Sequence, residues 1–238
     1  MIPPSAKHRL DTNHLPVTQL DETEITTLLR PHIFTATDKP ATRLLQTPTR
    51  NSNIRGPELR KAHERVGFYL SNEYVAELLG TESYPIPHVQ NKNTEGHCLR
   101  DEDQTLIVPL MRGGEPLALG VSEAFPSARF CHAKGPEDVN RELLLRSKQV
   151  LLVDFVVNTG ASMIEFVRSL RNEAKFEGEI VMVVGVVQQG AIEEGGFADM
   201  LRRDTKLSLV ALRASWNKYQ GKGGSDTGNR LFNTTELD

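Results

Sequence analysis

The sequence predicts an α/β protein with a central parallel sheet that is flanked by helices. From residue 106 to residue 212, runs rich in valine and leucine alternate with segments of helical spacing. Several of these runs are apolar without interruption, which is typical of parallel strands that are buried on both faces. Two of the strands end in glycine-containing turns that lead directly into a helix. Ligands of such sheets bind at the carboxyl ends of the strands, where these turns lie, so the pattern also indicates where a site is expected.

The elements ahead of the sheet are predicted from composition and spacing. Residues 1–40 are polar and contain scattered prolines, so we predict an N-terminal arm there, with one short helix near Glu22–Leu29. A single domain is predicted over residues 41–238. Apolar residues at helical spacing predict a helix over Glu58–Leu79, and prolines with polar residues predict a surface loop over Ser83–Asp103.

The sheet itself is predicted from the alternating pattern that follows. In chain order we expect strand Leu106–Met111, helix Glu115–Ala124, strand Ala128–His132, helix Val139–Arg146, strand Val150–Asp154, a helix after Gly160, strand Ile180–Val187, helix Ala191–Arg203 and strand Leu207–Leu212.

Composition excludes several classes of protein. The chain has 238 residues, 28 basic and 31 acidic, and no strongly basic run, so neither a nucleic-acid partner nor a membrane surface is expected. Its two cysteines, Cys98 and Cys131, lack metal-ligand spacing and suit a reducing compartment. No apolar run is long enough to cross a bilayer, and no targeting segment is recognisable, so we expect a cytoplasmic protein.

A strand, a polar turn and a helix start follow one another over residues 150–163. A helix start offers unpaired N–H groups and a partial positive charge, which together suit a phosphate. Gly160 permits close backbone approach, and the hydroxyls of Thr159 and Ser162 add donors. Asp154, at the end of the strand, can receive ribose hydroxyls. The alternative is an ordinary strand–turn–helix that binds no ligand.

Two further motifs are candidates for the same site. The segment Pro109–Pro116 again places a glycine turn before a helix, with Arg112 at the strand exit. Arginine presents a fork of donors that suits pyrophosphate oxygens, although a surface arginine beside a sharp turn would look the same. The segment Tyr219–Thr234 is rich in glycine and polar residues, and its alternative is a solvated tail.

Together these motifs resemble the uracil phosphoribosyltransferases, a family with the type I phosphoribosyltransferase fold, over roughly residues 40–234. The pyrophosphate turn of that family, Arg-Ala-Gly followed by Glu or Leu, is close to Arg112–Glu115. Its sequence Pro-Ser-Ala-Arg stands intact at Pro126–Arg129. The family's phosphoribosyl pyrophosphate (PRPP) loop aligns without gaps onto Asp154–Ser162, and its C-terminal signature aligns in the same way onto Tyr219–Thr234.

The resemblance implies a glycosyl transfer from PRPP to uracil that yields UMP and pyrophosphate, with Mg2+ bound to the PRPP and no separate metal centre. It assigns catalysis to Asp154, Arg112 and Asp226. It assigns PRPP binding to Arg112, Asp154, Phe155, Val156, Val157, Asn158, Thr159, Gly160, Ala161, Ser162 and Asp226. The base would contact Tyr219, Gln220, Ser225, Asp226 and Thr227. It also implies a homodimer or a higher homo-oligomer.

The sequence departs from the family at chemically important places. Phe155 replaces a proline, Ser225 replaces a glycine that lets the backbone approach the base, and Gln220 and Asn229 also differ. The family has a long β-arm that carries a second arginine. Residues 133–149 form only a short connection in its place, and Lys134 is the nearest substitute for that arginine. An alternative hypothesis is therefore a catalytically impaired or retuned member that binds PRPP or a nucleotide in a regulatory role.

Overall fold

The structure is a computed structural model, and it describes residues 32–235. The chain divides into two units, residues 1–30 and residues 31–238, and the described residues lie in the second. The short helix predicted near Glu22–Leu29 lies outside the described residues. His32–Thr35, which the sequence places in the N-terminal arm, forms a strand that pairs with the sheet.

The structure contains eight strands and nine α-helices among its described residues. The strands are β1 (His32–Thr35), β2 (Thr81–Pro87), β3 (Asn93–Leu99), β4 (Thr105–Pro109), β5 (Arg129–Phe130), β6 (Gln149–Val157), β7 (Glu179–Gln188) and β8 (Leu207–Ser215). The helices are α1 (Pro40–Arg50), α2 (Gly56–Leu70), α3 (Ala76–Leu79), α4 (Glu115–Ala124), α5 (Arg141–Leu145), α6 (Ala161–Arg168), α7 (Gln189–Glu193), α8 (Gly195–Arg203) and α9 (Thr227–Phe232). No helix within residues 32–235 is long and apolar enough to cross a membrane.

The main sheet has six parallel strands in the order β1-β8-β7-β6-β4-β5. Helices cover both of its faces, which confirms the predicted fold class. Along β6, Val150 and Leu152 face one apolar cluster, whereas Leu151 and Val153 face the other. Because successive side chains of a strand point to opposite faces, an uninterrupted apolar run is what this double burial requires.

The carboxyl ends of the parallel strands position the functional residues. β4, β6 and β8 end near the three segments that carry the sequence motifs, residues 110–114, 154–162 and 216–228. Gly114 allows the first of these segments to lie against β6, since a Cβ on Gly114 would be 2.1 Å from the carbonyl oxygen of Val153. Close contact between this turn and the strand therefore depends on glycine at this position.

The prediction of a surface loop over Ser83–Asp103 is wrong. Strands β2 and β3 form an antiparallel hairpin there, with register from Thr81–Leu99 to Pro87–Asn93. Most side chains of β2 are exposed, so the segment lacks the apolar alternation that identifies a half-buried strand. Each strand of a two-stranded sheet is an edge strand, which is where proline is tolerated.

Several predicted helices differ in their limits. The helix predicted over Glu58–Leu79 is present as α2 and α3, which are joined by a π-helical turn at Ser71–Val75. The helix predicted over Ala191–Arg203 is two helices, because Glu194 between them is extended and Gly195, which begins the second, has a φ of +84°. Helix α1 was not predicted, and it contains Pro48.

Candidate active site

A cavity of about 360 Å³ lies at the carboxyl ends of β4 and β6. It is lined by side chains or backbone from all three sequence motifs. The residues that the sequence assigned to the site and that line this cavity are Arg112, Asp154, Phe155, Val156, Ser162, Tyr219, Asp226 and Thr227. Tertiary structure thus brings into one place segments that are separated by more than 100 residues of chain.

The turn before α6 lines an adjoining cavity of about 220 Å³. Val157, Asn158, Thr159, Gly160 and Ala161 all border it. The first N–H groups of a helix have no partner within the helix, so the start of α6 offers donors to this space. Gly160 has a φ of +77°, in the left-handed region that glycine adopts without strain.

Gly160 is also required by packing. A Cβ on Gly160 would lie 2.4 Å from the Phe197 ring, which is buried in the apolar cluster under the turn. The Thr159 hydroxyl accepts a bond of 3.4 Å from the N–H of Ala161. The turn therefore rests directly on the core at Gly160.

Asp154 is half-buried at the base of the central cavity. Its Oδ1 accepts a hydrogen bond of 2.7 Å from the N–H of Phe155. Burial raises the pKa of Asp154 to about 7, although N–H groups of Phe155 and Val156 act in the opposite direction. The carboxyl group consequently changes charge close to neutral pH, which is unusual for aspartate and common in functional sites.

Arg112 joins the turn that follows β4 to α9. Its guanidinium donates 2.9 Å to Asn229 Oδ1 and 3.3 Å to Thr234 Oγ1. Thr234 in turn donates to Asn229 Oδ1 at 2.9 Å. The peptide bond between Met111 and Arg112 is cis. These contacts hold the guanidinium at the cavity wall through two neutral partners, so its charge is not neutralised there by a carboxylate.

The C-terminal segment is closed by its own hydrogen bonds. The N–H of Ser225 donates to the carbonyl of Lys222 at 3.1 Å, and the Ser225 hydroxyl bonds to both Gln220 O and Lys222 O. Gln220 and Ser225 line neither of the two cavities described above. The family resemblance implies that the N–H of Ser225 faces the base. In the structure this N–H donates a hydrogen bond within the turn instead.

Asp226 and Tyr219 bring the same segment to the cavity wall. Asp226 accepts a bond of 2.8 Å from the N–H of Asn229 and so caps α9. The Tyr219 hydroxyl donates to Ser225 O at 2.7 Å and lies 2.8 Å from Thr227 Oγ1. The ring of Tyr219 is thereby held in one orientation beside Thr227.

Lys134 also lines the central cavity. It begins a short turn that Asp138 closes by accepting the N–H groups of Lys134 at 2.8 Å and Gly135 at 3.2 Å. These two bonds lower the pKa of Asp138. This turn lies beside residues 110–114 because the N–H of Met111 donates to Ala133 O at 2.9 Å. The short 133–149 connection therefore does supply a cation at the cavity, although a single ammonium group differs from an arginine fork.

Two further residues at the site were missed by sequence reasoning. Glu165 lines the central cavity from the first two turns of α6, and its position five residues after Gly160 could have indicated this. His63 stacks on Phe155 with ring centroids 3.5 Å apart. No sequence signal relates His63 to Phe155, because α2 and β6 are brought together only by folding.

The parallel sheet and the strand–turn–helix over residues 150–163 have the fold of the type I phosphoribosyltransferase class. The profile of the uracil phosphoribosyltransferase family matches residues 36–234, and this chain belongs to that family. It is accordingly a phosphoribosyltransferase enzyme. These findings confirm the resemblance that the sequence motifs indicated.

Individual relatives are distant. Uracil phosphoribosyltransferase of Staphylococcus carnosus is 25% identical over 218 residues, which cover 85% of this chain and 98% of the relative. The enzyme of that name from Staphylococcus haemolyticus is 26% identical over 224 residues. Among solved structures, the AQ2163 protein of Aquifex aeolicus has a TM-score of 0.62 at 19% identity, covering 84% of this chain and 98% of that one. This last similarity supports the fold alone.

Proposed function

We propose that this protein transfers the phosphoribosyl group of PRPP to uracil, giving UMP and pyrophosphate. The observation that carries the proposal is the central cavity, where Arg112, Asp154 and the segment Tyr219–Thr227 meet. Its dimensions and its adjoining phosphate turn suit a phosphorylated sugar. Family membership over residues 36–234 supports the same reaction class and a pyrimidine acceptor.

The reaction forms a C–N bond and breaks a C–O bond at C1 of the ribose. A ring nitrogen of the base attacks C1, the electron pair of the breaking bond leaves with pyrophosphate, and the nitrogen gives its proton to water. Negative charge therefore grows on the leaving oxygens. Among the described residues that line the cavity, Arg112 and Lys134 carry positive charge, and both can meet that growing charge.

Positioning accounts for the remainder of the proposed chemistry. The start of α6 binds the 5-phosphate through N–H groups, and Asp154 accepts the ribose hydroxyls when it is ionised. Tyr219 and Thr227 form the wall against which the base lies. Holding two reactants close together and correctly oriented accelerates a transfer of this kind without any covalent intermediate on the protein.

Magnesium belongs to the proposal as part of the substrate. Within residues 32–235 no group of three or more His, Cys, Asp or Glu side chains could hold a metal ion. Asp154 and Asp226 both line the cavity, so they fit a cation that arrives on the pyrophosphate of PRPP. Bound magnesium would offset the charge of the pyrophosphate. The proposal has two further features. Family resemblance supports a homodimer or a higher homo-oligomer, and two cysteines without metal-ligand spacing suit a cytoplasmic location.

The test is a pyrophosphate-release assay with PRPP, Mg2+ and a panel of bases that includes uracil, cytosine, thymine, adenine and hypoxanthine. We expect release with uracil and formation of UMP by chromatography. Binding of PRPP must be measured in parallel by calorimetry. Intact PRPP binding without release for any base would overturn the catalytic proposal and would favour the regulatory alternative.

A further inference from the structure

A third cavity, of about 210 Å³, lies beside the central one at the ends of β7 and β8. The two cavities share four residues of their walls, namely Phe155, Val156, Tyr219 and Thr227. Tyr219 and Thr227 are the residues against which the base is proposed to lie. The third cavity therefore begins where the acceptor base is expected, and it extends away from PRPP toward α1.

The charge of this cavity is unbalanced. Three arginines line it, Arg50 from α1, Arg213 from β8 and Arg230 from α9, and the described residues that line it include no aspartate or glutamate. None of the five ion pairs within residues 32–235 involves these arginines. Burial and the charge of Arg50 both lower the pKa of Arg213. Arg213 is half-buried, whereas Arg50 is exposed at the mouth of the cavity. Two guanidinium groups that repel each other, one of them partly desolvated, favour the binding of an anion between them.

Arg230 adds to the charge while being fixed by the backbone. Its guanidinium donates to the carbonyls of Thr49, Asn51 and Ile54 at 3.2, 2.8 and 3.1 Å. These three carbonyls are neutral, so the positive charge is held in place but not cancelled. The Nε of Arg230 is buried and has no partner among the described residues.

His63 supplies an unused polar group on the same wall. The residue is 1% exposed, and its Nδ1 has no hydrogen-bond partner among the described residues. Burial, and then the charge of Arg230, lower the pKa of His63 to about 3, so the ring is neutral. A buried polar atom without a partner costs free energy, and native proteins usually retain one only where a ligand or water completes it.

We propose that this cavity is an anion subsite of the acceptor site, and that the enzyme prefers a pyrimidine carrying a ring carboxylate to unsubstituted uracil. The inference rests on the proposed phosphoribosyl transfer and specifies its acceptor. Uracil is neutral and offers two guanidinium groups no charged partner. A carboxylate on its ring would reach between Arg50 and Arg213 while the ring stays against Tyr219. The phosphates of PRPP have the α6 turn and Arg112, so they do not need this cavity.

The experiment compares uracil with uracil-5-carboxylate and uracil-6-carboxylate. The ratio of kcat/KM for each carboxylated base to that for uracil is measured with PRPP and Mg2+, and the affinity of each base is measured by calorimetry. We expect one carboxylated base to bind roughly tenfold or more tightly than uracil, as suits a charged hydrogen-bond pair. Arg213→Gln should abolish that preference. Arg50→Gln, at an exposed side chain, tests the same subsite independently.

Arg203→Gln is the matched control, because Arg203 is an exposed arginine on α8 that does not line this cavity. It should leave the preference unchanged. Uracil turnover with no preference for either carboxylated base would overturn the subsite and leave the proposed function standing. If sodium acetate or inorganic phosphate binds with the same dependence on Arg213 and no carboxylated base does, the ligand of the cavity is a free anion. That result would overturn the assignment to a base. If no base is turned over, the proposed function fails, and calorimetry still decides whether the subsite exists.

Discussion

Asn158 and Tyr219 are joined by two hydrogen bonds in opposite directions. Asn158 Nδ2 donates to Tyr219 O at 2.9 Å, and the N–H of Tyr219 donates to Asn158 Oδ1 at 3.1 Å. One residue belongs to the phosphate turn after β6, and the other begins the C-terminal segment. The pair therefore couples the proposed PRPP site to the proposed base site through a single side chain.

Asn158→Ala should raise KM for PRPP and for the base together. It removes two hydrogen bonds, each of which contributes about 0.5–1.5 kcal/mol, so we expect a combined loss of roughly 5- to 160-fold in kcat/KM. Asn158→Asp keeps the acceptor for Tyr219 N–H but sets a carboxylate against Tyr219 O, and it should be at least as damaging. Steady-state kinetics with each substrate varied in turn measures this. An effect on PRPP alone would show that the two segments are not coupled.

Asp154→Asn should stabilise the ligand-free protein above neutral pH while weakening PRPP binding. The folded pKa of about 7 lies above the ordinary 3.8, so ionisation of Asp154 costs stability as pH rises through this range. Asparagine avoids that cost and can still accept the bond from Phe155. The difference in unfolding free energy should be near zero below pH 4, grow up to pH 7 and then level off at up to about 4 kcal/mol.

Urea unfolding of both proteins at pH 4, 6 and 8 measures this difference. Calorimetric titration with PRPP at pH 8 measures the accompanying loss of binding. Equal stability of the two proteins at pH 8 would contradict the raised pKa of Asp154, and unchanged PRPP affinity would contradict its contact with ribose.

Gly160→Ala should disrupt the phosphate turn. The residue has a φ of +77°, and a Cβ would meet the Phe197 ring at 2.4 Å. A left-handed conformation costs a non-glycine residue about 1–2 kcal/mol, and the steric contact adds to that cost. Gly160→Val should be worse, and both should weaken PRPP binding strongly. Equilibrium binding of PRPP, with circular dichroism to follow folding, is the measurement.

Gly190→Ala is the matched control for the phosphate turn. Gly190 lies in α7, and no heavy atom stands within 4 Å of the position its Cβ would take. Alanine at a helical position is about 1 kcal/mol more favourable than glycine, so this variant should be as stable as the parent or slightly more so. If both substitutions reduce PRPP binding equally, the special role of the turn at Gly160 is wrong.

Lys134→Gln should reduce kcat/KM for PRPP by about 10²–10³, the range found when one preorganised donor to developing charge is lost. Lys134→Arg keeps the charge and should retain most of the activity. Asp138→Asn tests whether Asp138 positions Lys134, since a weaker acceptor loosens the turn that carries Lys134. Its effect should be smaller than that of Lys134→Gln. Full activity of Lys134→Gln would show that Arg112 alone meets the pyrophosphate.

The sequence by itself determined the parts of this protein that depend on contiguous residues. The apolar runs of β6, β7 and β8 could be recognised because burial on both faces removes polar residues from a strand. The phosphate turn was visible for a similar reason, since strand, glycine and helix start stand next to one another along residues 150–163. The hairpin of β2 and β3 could not be recognised, because its exposed side chains carry no apolar period.

Tertiary structure alone decided which distant residues meet. Arg112 and Asn229 are 117 residues apart in the chain and share a hydrogen bond of 2.9 Å. The stacking of His63 on Phe155, and the placement of Arg50 beside Arg213, likewise have no local signal. The physical reason is that close packing of helices against both faces of a sheet fixes these neighbours, whereas periodicity reports only which face of an element is apolar.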